Sequence, residues 1–214
     1  MAIDKPAGMV VHPTYRNWSG TLLNGLLWHV RETPGPQGPG LRPEPRIVTR
    51  LDKDTSGLVL VALTADVHRR IQRDTVAGRV TKEYLAVVRG TPQPARGSVE
   101  LPLARSAEDR RRVVVDAAGQ ASHTNYEVLS AAGGCAVVRC ELMTGRTHQI
   151  RVHLAARGWP ILGDRTYGEP DETLARQALH AWRITLPHPI SGETLQLEAP
   201  LAADLRPVVD CIGK

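Results

Sequence analysis

The sequence predicts one α+β domain in which antiparallel strands predominate. Three observations carry this prediction: many short apolar or alternating segments, few segments with helical spacing, and turn residues between them. A chain of 214 residues buries enough surface for a sizeable core. With 42% hydrophobic and 23% charged residues, whole-chain disorder is excluded. No apolar run approaches the ~20 residues of a membrane-spanning helix.

Most of the predicted elements are strands. Six segments have the composition or alternation of strands: residues 2–4, 58–63, 82–89, 113–115, 122–129 and 136–142. The run 58–63 is wholly apolar and predicts a buried central strand. Residues 178–186 and 194–199 are expected to form a final hairpin around a turn at 188–192.

Three segments predict helices: residues 21–30, 64–77 and 149–157. Ser19 is the expected N-cap of the first helix, and Thr64 that of the second. Residues 33–45 are rich in Pro and Gly and predict a loop, after which order is expected to resume over residues 47–51.

Charge, aromatic content and cysteines narrow the functional class. The net charge of +5 hints at an anionic partner. Four Trp, four Tyr and no Phe argue against a protein that stacks many bases in a row. Cys135 and Cys140 lie five residues apart on a predicted strand, point to opposite faces and cannot bridge. Reduced thiols and a first segment without a secretory signal predict a cytoplasmic protein.

Asp52 is the first candidate for chemistry. It lies between an apolar run and a Thr-Ser-Gly turn, where a loop on a rigid scaffold can present a reactive group. The alternative is that Asp52 or Asp54 only caps local backbone. On an extended strand Arg50 would share a face with Asp52, and a neighbouring cation favours the ionised carboxylate.

A second candidate is the turn before the third helix. Thr147 is the expected N-cap, and a helix N-terminus attracts anions. Arg146, His148 and Arg151 add cationic donors to this turn. The segment is either a solvated basic turn or a site where Arg151 pairs with a carboxylate from elsewhere. His148 and His153 lack the spacing of a helical zinc pair, so we expect no metal.

The roles of a tyrosine and of two groups of arginines cannot be decided from composition alone. Tyr84 lies on an alternating strand, where a Tyr is more often core or rim than catalytic. A basic run is either a phosphate clamp or a solvated loop: Arg105, Arg110, Arg111 and Arg112. The same ambiguity holds for the predicted helix face with Arg69, Arg70 and Arg73.

Taken together, these segments resemble the RluA-type pseudouridine synthases, which isomerise uridines in ribosomal and transfer RNA. The matching motifs are Arg50-Leu51-Asp52 with Thr55-Ser56-Gly57, then Lys82, Tyr84 and Ala86, then residues 144–153 and 160–164. Residues 4–8 and 177–181 also resemble segments of this family, and the similarity spans residues 3–203. Residues 11–13 and 188–192 look closer to the branch that modifies large-subunit ribosomal RNA.

The resemblance implies a fold and a domain boundary. The fold is a mixed, mainly antiparallel sheet with flanking helices and loops around a central catalytic cleft. Residues 1–214 would form one catalytic domain that is short at its N-terminus and lacks the S4-like RNA-binding domain of many relatives. Thr49 stands where the family usually has His, and we expect it to support the loop rather than react.

The resemblance also implies the chemistry. Asp52 would be the catalytic carboxylate, Tyr84 would pack on the uracil, and Arg151 would pair with Asp52. Arg50 would fill the space left by the flipped nucleotide, while Arg146 and His148 would orient RNA. The reaction adds and removes nothing, so no cofactor and no metal are expected. The expected partner of this monomer is structured RNA, ribosomal rather than transfer.

Two other classes remain open beside this one. A catalytically silent RNA-binding module would not need Asp52, Tyr84 and Arg151 together. A retaining glycosidase would need two carboxylates roughly 5 Å apart, and Asp54 is the only near candidate for the second.

Overall fold

The computed structural model describes residues 1–15, 17–32 and 43–213. These residues fall into two compact units, Met1–Val80 with Arg183–Ala199 and Thr81–Trp182 with Pro200–Lys214. In chain order the elements of the described residues are β1 (Ala2–Lys5), α1 (Leu22–Glu32), β2 (Arg46–Ile47), β3 (Ser56–Ala62), α2 (Ala65–Val76), β4 (Thr81–Arg89), β5 (Arg96–Val99), β6 (Leu103–Arg105), β7 (Val113–Val115), β8 (Thr124–Ala132), β9 (Cys135–Leu142), α3 (Gln149–Ala156), β10 (Leu179–Pro187), β11 (Thr194–Glu198) and α4 (Arg206–Ile212). The predicted α+β class with mainly antiparallel strands is confirmed.

The first unit is built around β3, which is buried along its whole length. β3 pairs antiparallel with β1 and with β2, and β10 forms the predicted antiparallel hairpin with β11. Successive side chains of a strand point to opposite faces. Leu58 and Leu60 therefore join a core with Ile71 of α2, while Val59 and Val61 join another with Leu22 and Leu26 of α1. This two-sided burial explains the unbroken apolar run.

Of the caps predicted for the first two helices, one is right and the other is wrong. The Thr64 hydroxyl accepts the Val67 N–H at 3.3 Å, as expected for the N-cap of α2. Ser19 does not cap α1, because Thr21 occupies that position. The Thr21 hydroxyl accepts the Asn24 N–H at 3.3 Å, and the Asn24 side chain accepts the Thr21 N–H at 3.0 Å. This reciprocal capping box fixes the start of the helix two residues later than Ser19 indicates.

The order expected over residues 47–51 is shorter than predicted. β2 ends at Ile47, and both the Val48 and the Thr49 N–H groups point to the Leu60 carbonyl, at 2.8 and 3.4 Å. Two successive donors cannot share one acceptor in a regular ladder, so the strand stops there. Asp52 and Arg50 therefore lie on a loop and not on a strand face. Of the loop predicted at 33–45, residues 33–42 lie outside the described ranges.

The second unit contains an antiparallel sheet in the order β4, β9, β8, β5. β6 and β7 form a separate two-stranded ribbon. α3 contacts β7 and β8, and α4 contacts β8 and β9. The predicted strands at 82–89, 113–115, 122–129 and 136–142 and the predicted helix at 149–157 are confirmed with small shifts of their ends. No helix of the described segments is long and apolar enough to cross a bilayer.

All three cysteines carry free thiols, as expected. Cys140 lies inside the sheet of the second unit, and its burial raises the pKa of the thiol to about 12. A thiol that stays protonated at neutral pH is a poor nucleophile and a poor metal ligand. Cys140 is therefore part of the core.

Candidate functional site

Asp52 lies on the irregular loop that joins β2 to β3. Its side chain is half-buried, and Arg50 two residues earlier is exposed. The Thr49 hydroxyl accepts the Leu60 N–H at 2.8 Å, which ties the start of this loop to β3. That contact is the supporting role expected for Thr49. A loop held on a buried strand presents its side chains in a fixed direction.

The far side of the Asp52 loop is held by a buried lysine. Lys5 has no exposed surface. Its ammonium donates to three main-chain carbonyls: Pro6 at 2.7 Å, Met9 at 2.9 Å and Lys53 at 3.0 Å. A buried ammonium is costly without such acceptors. The segment around Lys5 resembles the family, but its sequence predicts no role for Lys5, because nothing local points to a carbonyl 48 residues away.

Tyr84 lies on β4 of the second unit. It is paired with Cys140 on β9, which in turn is paired with Tyr126 on β8. Directly paired residues share a face of the sheet, so these three side chains form a row across it. Tyr84 is 8% exposed, and Ala86 and Val88 on the same face are buried. The predicted strand is confirmed, and burial alternates along it as far as Ala86.

The turn before α3 differs from its prediction. The N-cap is His148, in the left-handed conformation with a φ of 54°, and not Thr147. The Gln149 side chain supports the turn instead. Its carbonyl oxygen accepts the Arg146 N–H at 3.0 Å and the Thr144 hydroxyl at 2.8 Å. A long side chain from the first helical residue thus replaces the usual cap, and Thr147 is left exposed.

A buried hydrogen-bond chain fixes α3 to the sheet. The Gln149 amide donates to the Thr124 hydroxyl at 2.9 Å, and that hydroxyl lies 3.0 Å from Nδ1 of His153. Nε2 of His153 lies 3.0 Å from the Leu101 carbonyl, which can only accept. Nε2 therefore carries the proton, and burial lowers the pKa of this histidine. In the described parts of the chain, no three His, Cys, Asp or Glu side chains form a possible metal site.

Arg151, in the first turn of α3, is bound by a carboxylate that sequence reasoning did not name. Its Nε and one terminal nitrogen donate to the two oxygens of Asp164 at 2.7 and 2.9 Å. The side chains are 7% and 1% exposed. Burial alone would raise the pKa of Asp164, but Arg151 and two backbone N–H groups outweigh burial and lower it. The only sequence signal for Asp164 was its place in the matched segment 160–164.

The predicted basic run lies on the hairpin of β6 and β7. All four of its guanidinium groups belong to exposed residues: Arg105, Arg110, Arg111 and Arg112. Arg111 forms a two-point ion pair with Asp109 at 2.9 and 3.0 Å, and Arg105 donates to the Arg110 carbonyl at 2.6 Å. The Arg112 guanidinium lies 5.5 Å from the centre of the Tyr167 ring.

The structure thus assembles part of the predicted site within each unit. Arg146, His148 and Arg151 lie on one turn and the start of one helix, and the basic hairpin meets them through Tyr167. Asp52 and Arg50 share a loop of the first unit. The contacts of Tyr167, like those of Asp164, could not be predicted from the sequence because their partners are distant along the chain.

The comparisons with known proteins agree with one another. A family model described as RNA pseudouridylate synthase matches residues 1–156. The ribosomal large subunit pseudouridine synthase D of Nitrosomonas europaea is 43% identical over 221 residues, and the protein of the same name from Zymomonas mobilis is 38% identical over 217. The solved structure of human RNA pseudouridylate synthase domain containing 1 is 25% identical, with a TM-score of 0.73. The chain belongs to the RNA pseudouridylate synthase family.

The matches cover almost all of this chain but a smaller share of the related proteins. The match with the Nitrosomonas protein covers 98% of this chain, that with the Zymomonas protein 96%, and that with the human structure 99%. The chain spans 62% of the Nitrosomonas protein, 68% of the Zymomonas protein and 89% of the human chain.

Proposed function

We propose that the protein isomerises specific uridines in structured RNA to pseudouridine. The observation that carries this proposal is the family match over residues 1–156, which includes Asp52, Tyr84 and Arg151. Large-subunit ribosomal RNA is the proposed target, because two relatives that match nearly the whole chain are named as pseudouridine synthases of the ribosomal large subunit. Transfer RNA is the alternative target within the same family.

The proposed chemistry breaks the bond between N1 of the uracil and C1′ of the ribose, turns the base, and joins C5 to C1′. C5 then releases its proton and N1 takes one up, so that the atoms balance. The target base must first leave its stack, which requires a few kcal/mol. Phosphate contacts from arginines offset that free energy. Asp52 acts at the sugar as the ionised carboxylate, and Arg50 takes the place of the flipped nucleotide.

Tyr84 and Arg151 complete the proposed machinery. Tyr84 packs on the uracil. Arg151 stabilises the ionised form of Asp52 while RNA excludes water. The two-point bond to Asp164 supports this role, because a guanidinium with a fixed plane loses little freedom when it binds a further anion. Arg146 and His148 contact the RNA beside it.

The function is tested by incubating the full chain with uridine-containing ribosomal RNA. Pseudouridine is detected as an adduct that withstands alkaline treatment after carbodiimide modification, and tritium release from C5 gives the rate. We expect pseudouridine and no free base. Free uracil would identify a glycosidase, and RNA binding with no product would identify a silent binding module. A parallel reaction with transfer RNA decides between the two targets.

The two arginines around the α3 turn are expected to respond differently to lysine. Arg151→Lys keeps the charge but loses the planar fork, so it should lower the single-turnover rate more than RNA affinity. Arg146 lies before the helix, and its exposed side chain donates to the Ala121 carbonyl. Arg146→Lys should weaken RNA binding or change little. If Arg146→Lys is inactive while Arg151→Lys turns over normally, the roles are reversed.

The basic hairpin is expected to bind phosphates. Replacing Arg105, Arg110, Arg111 and Arg112 by Gln should weaken RNA binding and flatten its salt dependence, by roughly 0.7–0.9 in slope for each phosphate that the variant no longer binds. Binding is measured at several salt concentrations. A variant with Gln at Arg69, Arg70 and Arg73 of α2 is the comparison, since it removes a similar charge elsewhere. An unchanged slope in the hairpin variant would return the basic run to the solvated-loop interpretation.

A further inference from the structure

We propose that Tyr167 is a positioning residue that joins the basic hairpin to α3, so that RNA held by the hairpin fixes the orientation of Arg151 and His148. This inference rests on the proposed function and adds a residue to it. Tyr167 lies outside every element of regular structure, in the segment that follows Asp164. All of the contacts that follow lie within the second unit.

The ring of Tyr167 packs between the hairpin and the helix. It lies against a small buried cluster made of Leu103 on β6, Val113 on β7 and Val152 on α3. The hairpin and α3 thus share a core with this ring at its edge. A shift of the hairpin relative to α3 must move the ring or open a gap.

The hydroxyl of Tyr167 makes the same connection through hydrogen bonds. It accepts the Val113 N–H at 2.8 Å, and it lies 2.7 Å from Nδ1 of His148. The backbone N–H can only donate, and the hydroxyl can still bond Nδ1 of either His148 tautomer, because it has a proton to donate and a second lone pair to accept with. One oxygen atom therefore bonds the first residue of β7 and the N-cap of α3 together.

Two arginines approach the Tyr167 ring. The Arg151 guanidinium lies 5.0 Å from the ring centre, and that of Arg112 on the hairpin lies 5.5 Å away. Both distances are in the range of cation–π attraction. Asp164, which binds Arg151, also accepts the Tyr167 N–H at 3.2 Å. Tyr167 is therefore held by the same carboxylate as the arginine that it contacts.

These contacts give phosphate binding a route to the reaction. A phosphate bound by exposed hairpin arginines restrains the hairpin, and the restraint passes through Tyr167 to His148 and Arg151. Binding energy that orders reacting groups raises the rate and not only the affinity. Removing the Tyr167 hydroxyl should therefore lower the rate without lowering the affinity, because RNA still binds but no longer orders the start of α3.

The test measures the single-turnover rate at saturating RNA and the Kd for Tyr167→Phe. We expect the rate to fall about tenfold, as for removal of a hydrogen bond that matters in the transition state, with the Kd changed less than about threefold. Tyr126→Phe is the matched control, since its hydroxyl donates to the Pro94 carbonyl at 3.3 Å on another part of the unit. It should behave as wild type.

The coupling itself is tested by adding Arg110→Gln to each background. Arg110→Gln should slow turnover in the wild type and in Tyr126→Phe, but should slow Tyr167→Phe no further. His148→Gly keeps a residue that tolerates the left-handed backbone, has no side chain to reach the hydroxyl, and should reproduce the loss of rate. Thermal melting confirms that each variant folds.

Three outcomes contradict the inference. They are a wild-type rate for Tyr167→Phe, a full additional effect of Arg110→Gln in that background, and a loss of affinity without a loss of rate. If wild type and Tyr126→Phe form no pseudouridine, the proposed function fails, and this inference fails with it.

Discussion

Asp52→Asn is expected to abolish pseudouridine formation while folding and RNA binding stay intact. The amide has nearly the shape of the carboxylate, and the contacts of Thr49 with Leu60 and of Lys5 with the Lys53 carbonyl hold the loop in both variants. A neutral amide can neither attack C1′ nor assist departure of the base. Single-turnover assays on ribosomal RNA, with Kd and melting temperature measured on the same preparations, check the three parts of this expectation.

Asp54→Asn is the matched control for Asp52→Asn. Asp54 is a half-buried carboxylate on the same loop, two residues further on, and it is the candidate second acid of a glycosidase. Its variant should keep most of the wild-type rate. A tenth of the wild-type rate in Asp52→Asn, or equal loss in both variants, would contradict the assignment of Asp52.

Asp164→Asn is expected to have the largest effect on stability. It leaves the guanidinium of Arg151, 7% exposed, without the charge of its two-point partner. Breaking a buried ion pair from one side lowers the free energy of unfolding by about 3–5 kcal/mol. In a chain of this size that corresponds to roughly 10 °C in melting temperature. Calorimetry or thermal melting followed by circular dichroism measures it.

Two variants and a pH series make this expectation specific. Asp204→Asn breaks a bidentate pair of the same length with Arg176, at 2.7 and 2.8 Å, but its carboxylate side chain is 50% exposed, so the loss should be about 1 kcal/mol. Replacing Arg151 by Met together with Asp164 by Asn removes both charges while an amide oxygen still accepts the Thr166 and Tyr167 N–H groups, so it should restore much of the stability but not turnover. Equal losses for Asp164→Asn and Asp204→Asn would contradict the role of burial.

The pH dependence follows from the sign of the pKa shift. The pKa of Asp164 is lower in the folded protein than in the unfolded chain, so its contribution is complete near neutral pH. It is lost as the pH falls through the folded pKa, below the ordinary value of about 4. The difference in stability between wild type and Asp164→Asn should therefore narrow in acid.

Most strands and helices could be predicted because their signals are local. The apolar run around Val59 is enough to predict the buried strand β3, and the hydroxyl of Thr64 is enough to predict the start of α2. The resemblance likewise depended on short motifs, and it led to the family that the comparisons confirm. The antiparallel class followed from alternation and turn residues, which need no knowledge of distant contacts.

The errors and omissions share a different physical origin. Thr147 is by type a better N-cap than His148, but the Gln149 side chain and the contact with Tyr167 hold His148 in the left-handed conformation. Asp164 and the Lys53 carbonyl act on partners elsewhere in the fold. The sequence identifies the cations, but only the packed structure shows that Arg151 binds Asp164 and that Lys5 binds the Lys53 carbonyl.

The division of the chain bears on its synthesis. The first unit takes its last residues from Arg183–Ala199, after more than a hundred residues of the second unit have been made. Ile184, Leu186 and Ala199 belong to the core with Leu58, Leu60 and Ile71. A nascent chain that ends near Val80 therefore exposes half of that core to solvent and to other nascent chains. On the ribosome, this unit can complete its folding only after residues 81–182 of the second unit have emerged.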